Sequence, residues 1–169
     1  MPRPQPNDYA AYYETYVGKV KGDSVQEIIN TYSQQMLDFY SSLSDEKADH
    51  RYAEGKWTVK ELLLHIIDAE RIFSYRALRI ARKDKTRLPG FDENSYTPAS
   101  KASERSLQSL KDEFAAVRKA TDILLSTFDE EQLSQRGTAS DQTVTVNAIA
   151  FIIYGHMLHH KQILEERYL

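Results

Sequence analysis

Three of the five histidines in this 169-residue chain, His156, His159 and His160, crowd into the stretch GHMLHHKQILEERYL. His156 and His160 stand at i and i+4. On a helix their Cα atoms are separated by a rise of only ~6 Å and both side chains leave from one face. Two imidazoles so placed can grip a single metal ion. They share a stripe with Ile149, Ile152, Ile153, Ile163 and Leu164, so the pair faces inward. His159 lies at the edge of that stripe and could replace either partner. His65 shares a second apolar stripe with Leu62, Ile66, Ala69 and Ile72. A lone core histidine is usually satisfied by one hydrogen bond. Three inward histidines on two helices ask for more, because each unpaired imidazole nitrogen costs energy when buried. A shared divalent cation satisfies all three, and Zn²⁺, Ni²⁺, Fe²⁺ and Co²⁺ all suit neutral imidazole.

Other polar groups invite blander readings. His50 falls in a polar connection and is expected to face solvent. Asp68, one turn past His65, is read as a surface aspartate, with orientation of His65 as the alternative. Glu70 is read as a surface or interhelix pair. Arg76 lies on the His65 stripe but roughly 16 Å along the axis. A structural salt bridge is its expected use, and an acidic substrate is the alternative. Trp57 is read as an apolar staple at the start of a helix. The six glycines are scattered, so no phosphate cradle is present, and no nucleophile-and-base arrangement emerges.

The elements that must position these histidines are helices. Ser24-Val25-Gln26-Glu27 and Thr58-Val59-Lys60-Glu61 both have the form of a capping box. Behind the first, Val25, Ile28, Ile29, Tyr32, Met36, Phe39 and Leu43 repeat at helical spacing. The second opens a helix running to about Lys83. Leu107, Leu110, Phe114, Val117, Thr121, Leu124 and Phe128 form a third seam, and a fourth helix runs from near Thr145 to the end. Tyr9, Tyr12, Tyr13 and Tyr16 predict a short N-terminal docking helix whose rings are expected to pack, with a ligand platform as the alternative. Residues 1–8, with three prolines, read as an extended, loosely ordered tail. No run alternates convincingly as a strand. The class is all-α, and a four-helix bundle over one domain, residues 1–169, is the expected architecture. The long connection through Leu88-Pro89-Gly90-Phe91 predicts a crossover, or a loop at the mouth of a site. Ser44-Asp45-Glu46 before Thr58 and Phe128-Asp129-Glu130 before Thr145 hint at two related hairpins.

Composition sets outer limits. With 22 Lys and Arg against 25 Asp and Glu, the net charge is −3, and no basic excess points to nucleic acid. No apolar run is long enough to span a bilayer, and MPRPQPNDY has no apolar core of a signal peptide. The absence of cysteine removes thiolate ligands and nucleophiles, and suits a cytoplasmic setting. Any thiol chemistry must bring its own sulfur.

Glu54-Gly55-Lys56-Trp57-Thr58-Val59-Lys60-Glu61, the run His65 to Phe73, Leu88-Pro89-Gly90-Phe91-Asp92, and Gly155-His156 with His159-His160 together resemble the DinB/YfiT-like superfamily. The likeness runs from about Tyr9 to Leu169. It implies an up-down-down-up bundle with a long crossover between the second and third helices. It also implies a divalent metal, zinc or nickel, on His65, His156 and His160, with dimers common. Relatives of this kind imply a transferase acting with a low-molecular-weight, bacillithiol-like thiol on a small-molecule electrophile. The alternatives are a metal-dependent hydrolase activating water, or a non-catalytic metal-binding bundle.

Overall fold

The computed structural model describes residues 1–169. Short helix α1 (Glu14–Val17) precedes α2 (Val25–Ser41), α3 (Val59–Ala81), α4 (Glu93–Ala99), α5 (Leu107–Ser126), α6 (Glu130–Ser134) and α7 (Val146–Arg167). A hairpin of β1 (Arg136–Ala139) and β2 (Gln142–Thr145) sits between α6 and α7. The four long helices start where their caps place them. Thr58 Oγ1 accepts from the Glu61 N–H while the Glu61 carboxylate accepts from the Thr58 N–H, a complete capping box. Ser24 accepts from the Glu27 N–H, but Glu27 reaches one residue further back, to the Asp23 N–H. Ser106 and Thr145 cap α5 and α7 in the same way.

Residue pairs fix the directions. Along α3 and the approach to α5, Lys60 meets Ser103, Arg71 meets Glu113 and Glu70 meets Arg118, so these two helices run parallel. Tyr32 meets Tyr154, and Lys161 lies over Phe39, so α2 and α7 also run parallel. Ser33 to Asp122 and Lys111 to Leu43 set α2 antiparallel to α5. The order is therefore up-down-down-up, as the resemblance implied. Because α3 and α5 point the same way, residues 82–106 must travel back along the bundle, about 34 Å for a 23-residue helix. That crossover is ordered by α4 and a 3₁₀ turn at Ala102–Glu104.

The hairpin was not expected from sequence. Its two-residue turn, Ser140-Asp141, has positive φ at both positions (51° and 59°), the form that matches strand twist. Leu88 pairs with its tip: the Leu88 N–H donates to Thr138 O and the Ser140 N–H to Leu88 O. The hairpin thus pins the start of the crossover and sets Ser140 beside α3. The two-hairpin echo holds in its caps (Ser44 and Asp129) but not beyond, since only the second connection carries strands.

The N-terminal tail also departs from expectation. Arg3 donates to the carbonyls of Val17 and Val20, both at 2.5 Å, and Asn147 donates to Pro2 O. A 3₁₀ turn forms at Pro6–Asp8, and Asp8 pairs with Arg136. A guanidinium capping free carbonyls ties down a segment whose prolines alone suggested looseness. The docking helix is shorter than its tyrosine spacing predicted: a 3₁₀ turn at Ala11–Tyr13 leads into the single turn of α1. Tyr9 packs in the core on its own, and Tyr12 is 66% exposed.

This segment lies along α7, which is buried on every face from Val146 to Met157 rather than on one stripe. Gly155 allows the approach. A Cβ built there would stand 2.1 Å from the Tyr16 carbonyl oxygen. Gly155→Ala is expected to destabilise the fold by about 1–3 kcal/mol through overpacking and to free the N-terminal segment for proteolysis. Unchanged melting and unchanged proteolysis would contradict this docking.

Candidate metal centre

His65 on α3 meets His156 and His160 on the antiparallel α7. The Nε2 atoms of His65 and His156 are 3.1 Å apart, as are those of His156 and His160. One ligand atom from each residue falls within 4.8 Å of the others. A tetrahedral ion with bonds of about 2.0–2.1 Å holds its ligand nitrogens about 3.3 Å apart, close to the 3.1 Å found for two of the three pairs. A ring nitrogen carries either one proton or one lone pair, so His156 Nε2 cannot form a good hydrogen bond to both neighbours. A cation accepts three converging lone pairs together, and the residues present fit one. The outward Nδ1 of His160 is buried without a partner.

Electrostatics keep the rings in the ligating form. Burial lowers the His65 pKa to about 4. Burial, then the neighbouring imidazoles, hold His156 and His160 well below the ordinary histidine value. These groups are depressed in the fold and ordinary, near 6.5, in the unfolded chain. The unfolded state therefore takes up protons first as pH falls. Metal-free protein is expected to lose stability from about pH 6.5 downward, with the His65 share saturating near pH 4 at about 3 kcal/mol. Denaturant melts at stepped pH check this, and His65→Ala is expected to flatten the slope. An equally steep slope in that variant would contradict it.

A cavity of about 180 Å³ opens onto the three rings, walled by Tyr12, Tyr13, Tyr16, Trp57, Phe73 and Phe91, with Arg76, Glu93 and Ser140 as further polar lining. A second cavity, of about 260 Å³, is lined by Tyr52, Lys56, Asn94 and Tyr168. The two share Trp57 and His160. Several sequence readings change here. Trp57 does not merely staple a helix: its ring lies 4.8 Å from that of His65 and divides the two cavities. The tyrosines expected to pack instead wall the site, with Tyr16 edge-on to both His156 and His159. His159 is half-buried beside Tyr16 and stands outside the cluster of three.

Arg76 forms no salt bridge. Its Nη2 donates to Pro89 O (2.8 Å) and Ser140 Oγ (3.0 Å), because the hairpin tip and crossover occupy the place of a carboxylate. Asp68 pairs with Arg71 and makes no hydrogen bond to His65. Glu70 is fully interior, paired with the wholly buried Arg118. His50 faces solvent as expected.

The fold is a helical bundle in which three imidazoles, able together to hold a metal ion, converge beneath an aromatic cavity. The sequence pattern of the DinB superfamily matches residues 30–164, and the chain belongs to that superfamily. A protein of Oceanobacillus iheyensis, described as a candidate metal-dependent hydrolase, is 32% identical over 69 residues. That stretch spans 40% of this chain and 39% of that protein. YfiT from Bacillus subtilis, described as a probable metal-dependent hydrolase with an unusual four-helix bundle topology, superposes with a TM-score of 0.67 at 15% identity. The match covers 96% of this chain and 89% of that one. A mycothiol-dependent maleylpyruvate isomerase superposes at 0.65, also 15% identical, over 82% of this chain and 59% of that one. At such identities the solved structures speak to the fold alone. No helix is long and apolar enough to cross a membrane.

Proposed function

We propose that this chain is a divalent-metal-dependent transferase, with His65, His156 and His160 as ligands, that joins a low-molecular-weight thiol to a small electrophile. The carrying observation is that two cavities share Trp57 and His160, the first lined by all three imidazoles and the second by His160 alone, which offers room for two small molecules beside the cluster. When bound, a zinc or nickel ion with three neutral ligands supplies a Lewis acid that lowers the pKa of an incoming thiol. Trp57 keeps the two reactants apart until they meet at the histidines, and the aromatic wall excludes water. In the reaction the thiol loses its proton to solvent and a sulfur–carbon bond forms, while either a carbon–halogen bond breaks and halide leaves to solvent, or an epoxide carbon–oxygen bond breaks and its oxygen takes a proton from solvent. The absence of cysteine accords with a sulfur brought by the cosubstrate.

A hydrolase is the second reading. The descriptions of the Oceanobacillus and Bacillus proteins favour it, as does the presence of a carboxylate, Glu93, in the cavity lining.

The metal-loaded protein is to be supplied with a bacillithiol-like thiol and a panel of halogenated aromatics and epoxides. Thiol loss matched to electrophile loss is the expected result. Ester or amide turnover without thiol consumption would replace this reading with the hydrolase.

A further inference from the structure

The group left without a matching partner is Arg76. Only 3% of it is exposed, yet its hydrogen-bond acceptors are a carbonyl and a hydroxyl, both neutral. Every other deeply buried cationic side chain in the molecule has a carboxylate: Arg118 has Glu70 and Asp122, and Lys60 has Asp49. Burying an unpaired charge is costly, and the usual remedy is a counter-ion. Glu93 is the single acid in the cavity lining, and no ion pair in the molecule joins it to Arg76. The guanidinium itself forms part of that lining. Phe73 connects it to the histidines: its ring centre is 5.8 Å from the Arg76 guanidinium carbon and 6.0 Å from the His156 ring.

We propose that Arg76 receives the carboxylate of the small substrate, so that the aromatic cavity selects flat, apolar-bodied carboxylic acids. Pro89 and Ser140 take both hydrogens of Nη2, which leaves Nη1 available to donate a charge-assisted hydrogen bond to one carboxylate oxygen. The body of the substrate lies against Phe73 and Tyr13, and its far end points to the three imidazoles. The hairpin then has a role in recognition, since its turn supplies the Ser140 hydroxyl that orients the guanidinium. This assignment deepens the transferase reading and rests on it for the word substrate. The binding itself does not require the metal.

Trp57 is the single tryptophan of the chain and lines the cavity, so its fluorescence reports occupancy. Metal-free and metal-loaded protein are to be titrated with benzoate and with the neutral isostere benzamide. Benzoate is expected to bind at least about tenfold tighter than benzamide in both forms. Arg76→Gln is expected to abolish that preference, while Arg76→Lys, which keeps the charge but loses the Nη2 bonds that orient the guanidinium, retains part of it. Equal affinity for the two ligands in the wild type overturns the proposal. So does a preference that survives in Arg76→Gln, or one that appears only after metal loading, which would mean that the anion binds the ion. If Arg76→Gln fails to fold, the wild-type contrast and the partial loss in Arg76→Lys still decide. A protein that takes up no metal but still prefers benzoate would reject the transferase reading and leave Arg76 as the anion site.

Discussion

Replacing His156 by alanine is expected to weaken divalent-metal binding by more than about a hundredfold. That exceeds the 10–100-fold usual for losing a group that merely orients a ligand. His156 is the geometric centre of the cluster, since its Nε2 lies 3.1 Å from the Nε2 of both His65 and His160. The two remaining nitrogens have no partner between them once it is gone. His159→Ala is the natural control. It sits one residue from His160 on α7, but outside the cluster of three, and is expected to leave affinity within a few-fold. Calorimetric titration of zinc or nickel into each variant separates them. Equal losses in His156→Ala and His159→Ala would mean that the crowding of histidines, not their convergence, governs uptake.

The second large effect concerns the core behind the site. Arg118 is wholly buried, 2.8 Å from Glu70 and 2.6 Å from Asp122, with its guanidinium over the Tyr154 ring. Asp122 also accepts from the hydroxyls of Ser33 and Tyr154. The contact to Glu70 is close but lacks hydrogen-bond alignment, so that pairing is coulombic. Arg118→Met fills the volume but leaves two acids facing each other without a cation. It is expected to destabilise by about 3–5 kcal/mol, the usual result of stripping one member from a buried pair. Burial already raises the Glu70 pKa, with Arg118 opposing it. Without Arg118 it rises further, above its value in the unfolded chain. The folded variant then binds the extra proton, so its deficit is expected to shrink as pH falls and to return as pH rises through that raised pKa. Denaturant melts at several pH values test this, and a deficit independent of pH would place the loss in packing rather than charge. Adding Glu70→Leu to Arg118→Met is expected to recover part of the stability.

These two sites differ in how far the sequence reveals them. The histidine cluster was legible because helical periodicity is strict. Once Thr58 and Thr145 set the helix starts, the faces of His65, His156 and His160 follow from spacing. The four long helices were legible for the same reason. Arg118 was not, because an arginine one residue from the apolar Val117 reads as a neighbour of the seam, whereas it occupies the seam itself. The hairpin escaped because four-residue strands give little alternation to read. Its sharpest signal, the β-branched run Thr143-Val144-Thr145-Val146, merges into the start of α7. Arg76 and Trp57 depend on contacts between distant segments, with the crossover and hairpin in one case and α3 in the other, and no local pattern encodes those. The tail was misread because Arg3 anchors it through carbonyls of a segment 14 residues and more away.

The central claim is that the three imidazoles hold one divalent ion. Its most direct test is elemental analysis, with zinc and nickel titration, of protein carrying no histidine tag. One equivalent per chain, reduced to a trace in His65→Ala, His156→Ala and His160→Ala alike, is the expected result. Less than a stoichiometric trace of any transition metal in the wild type, with no uptake on titration, would contradict it.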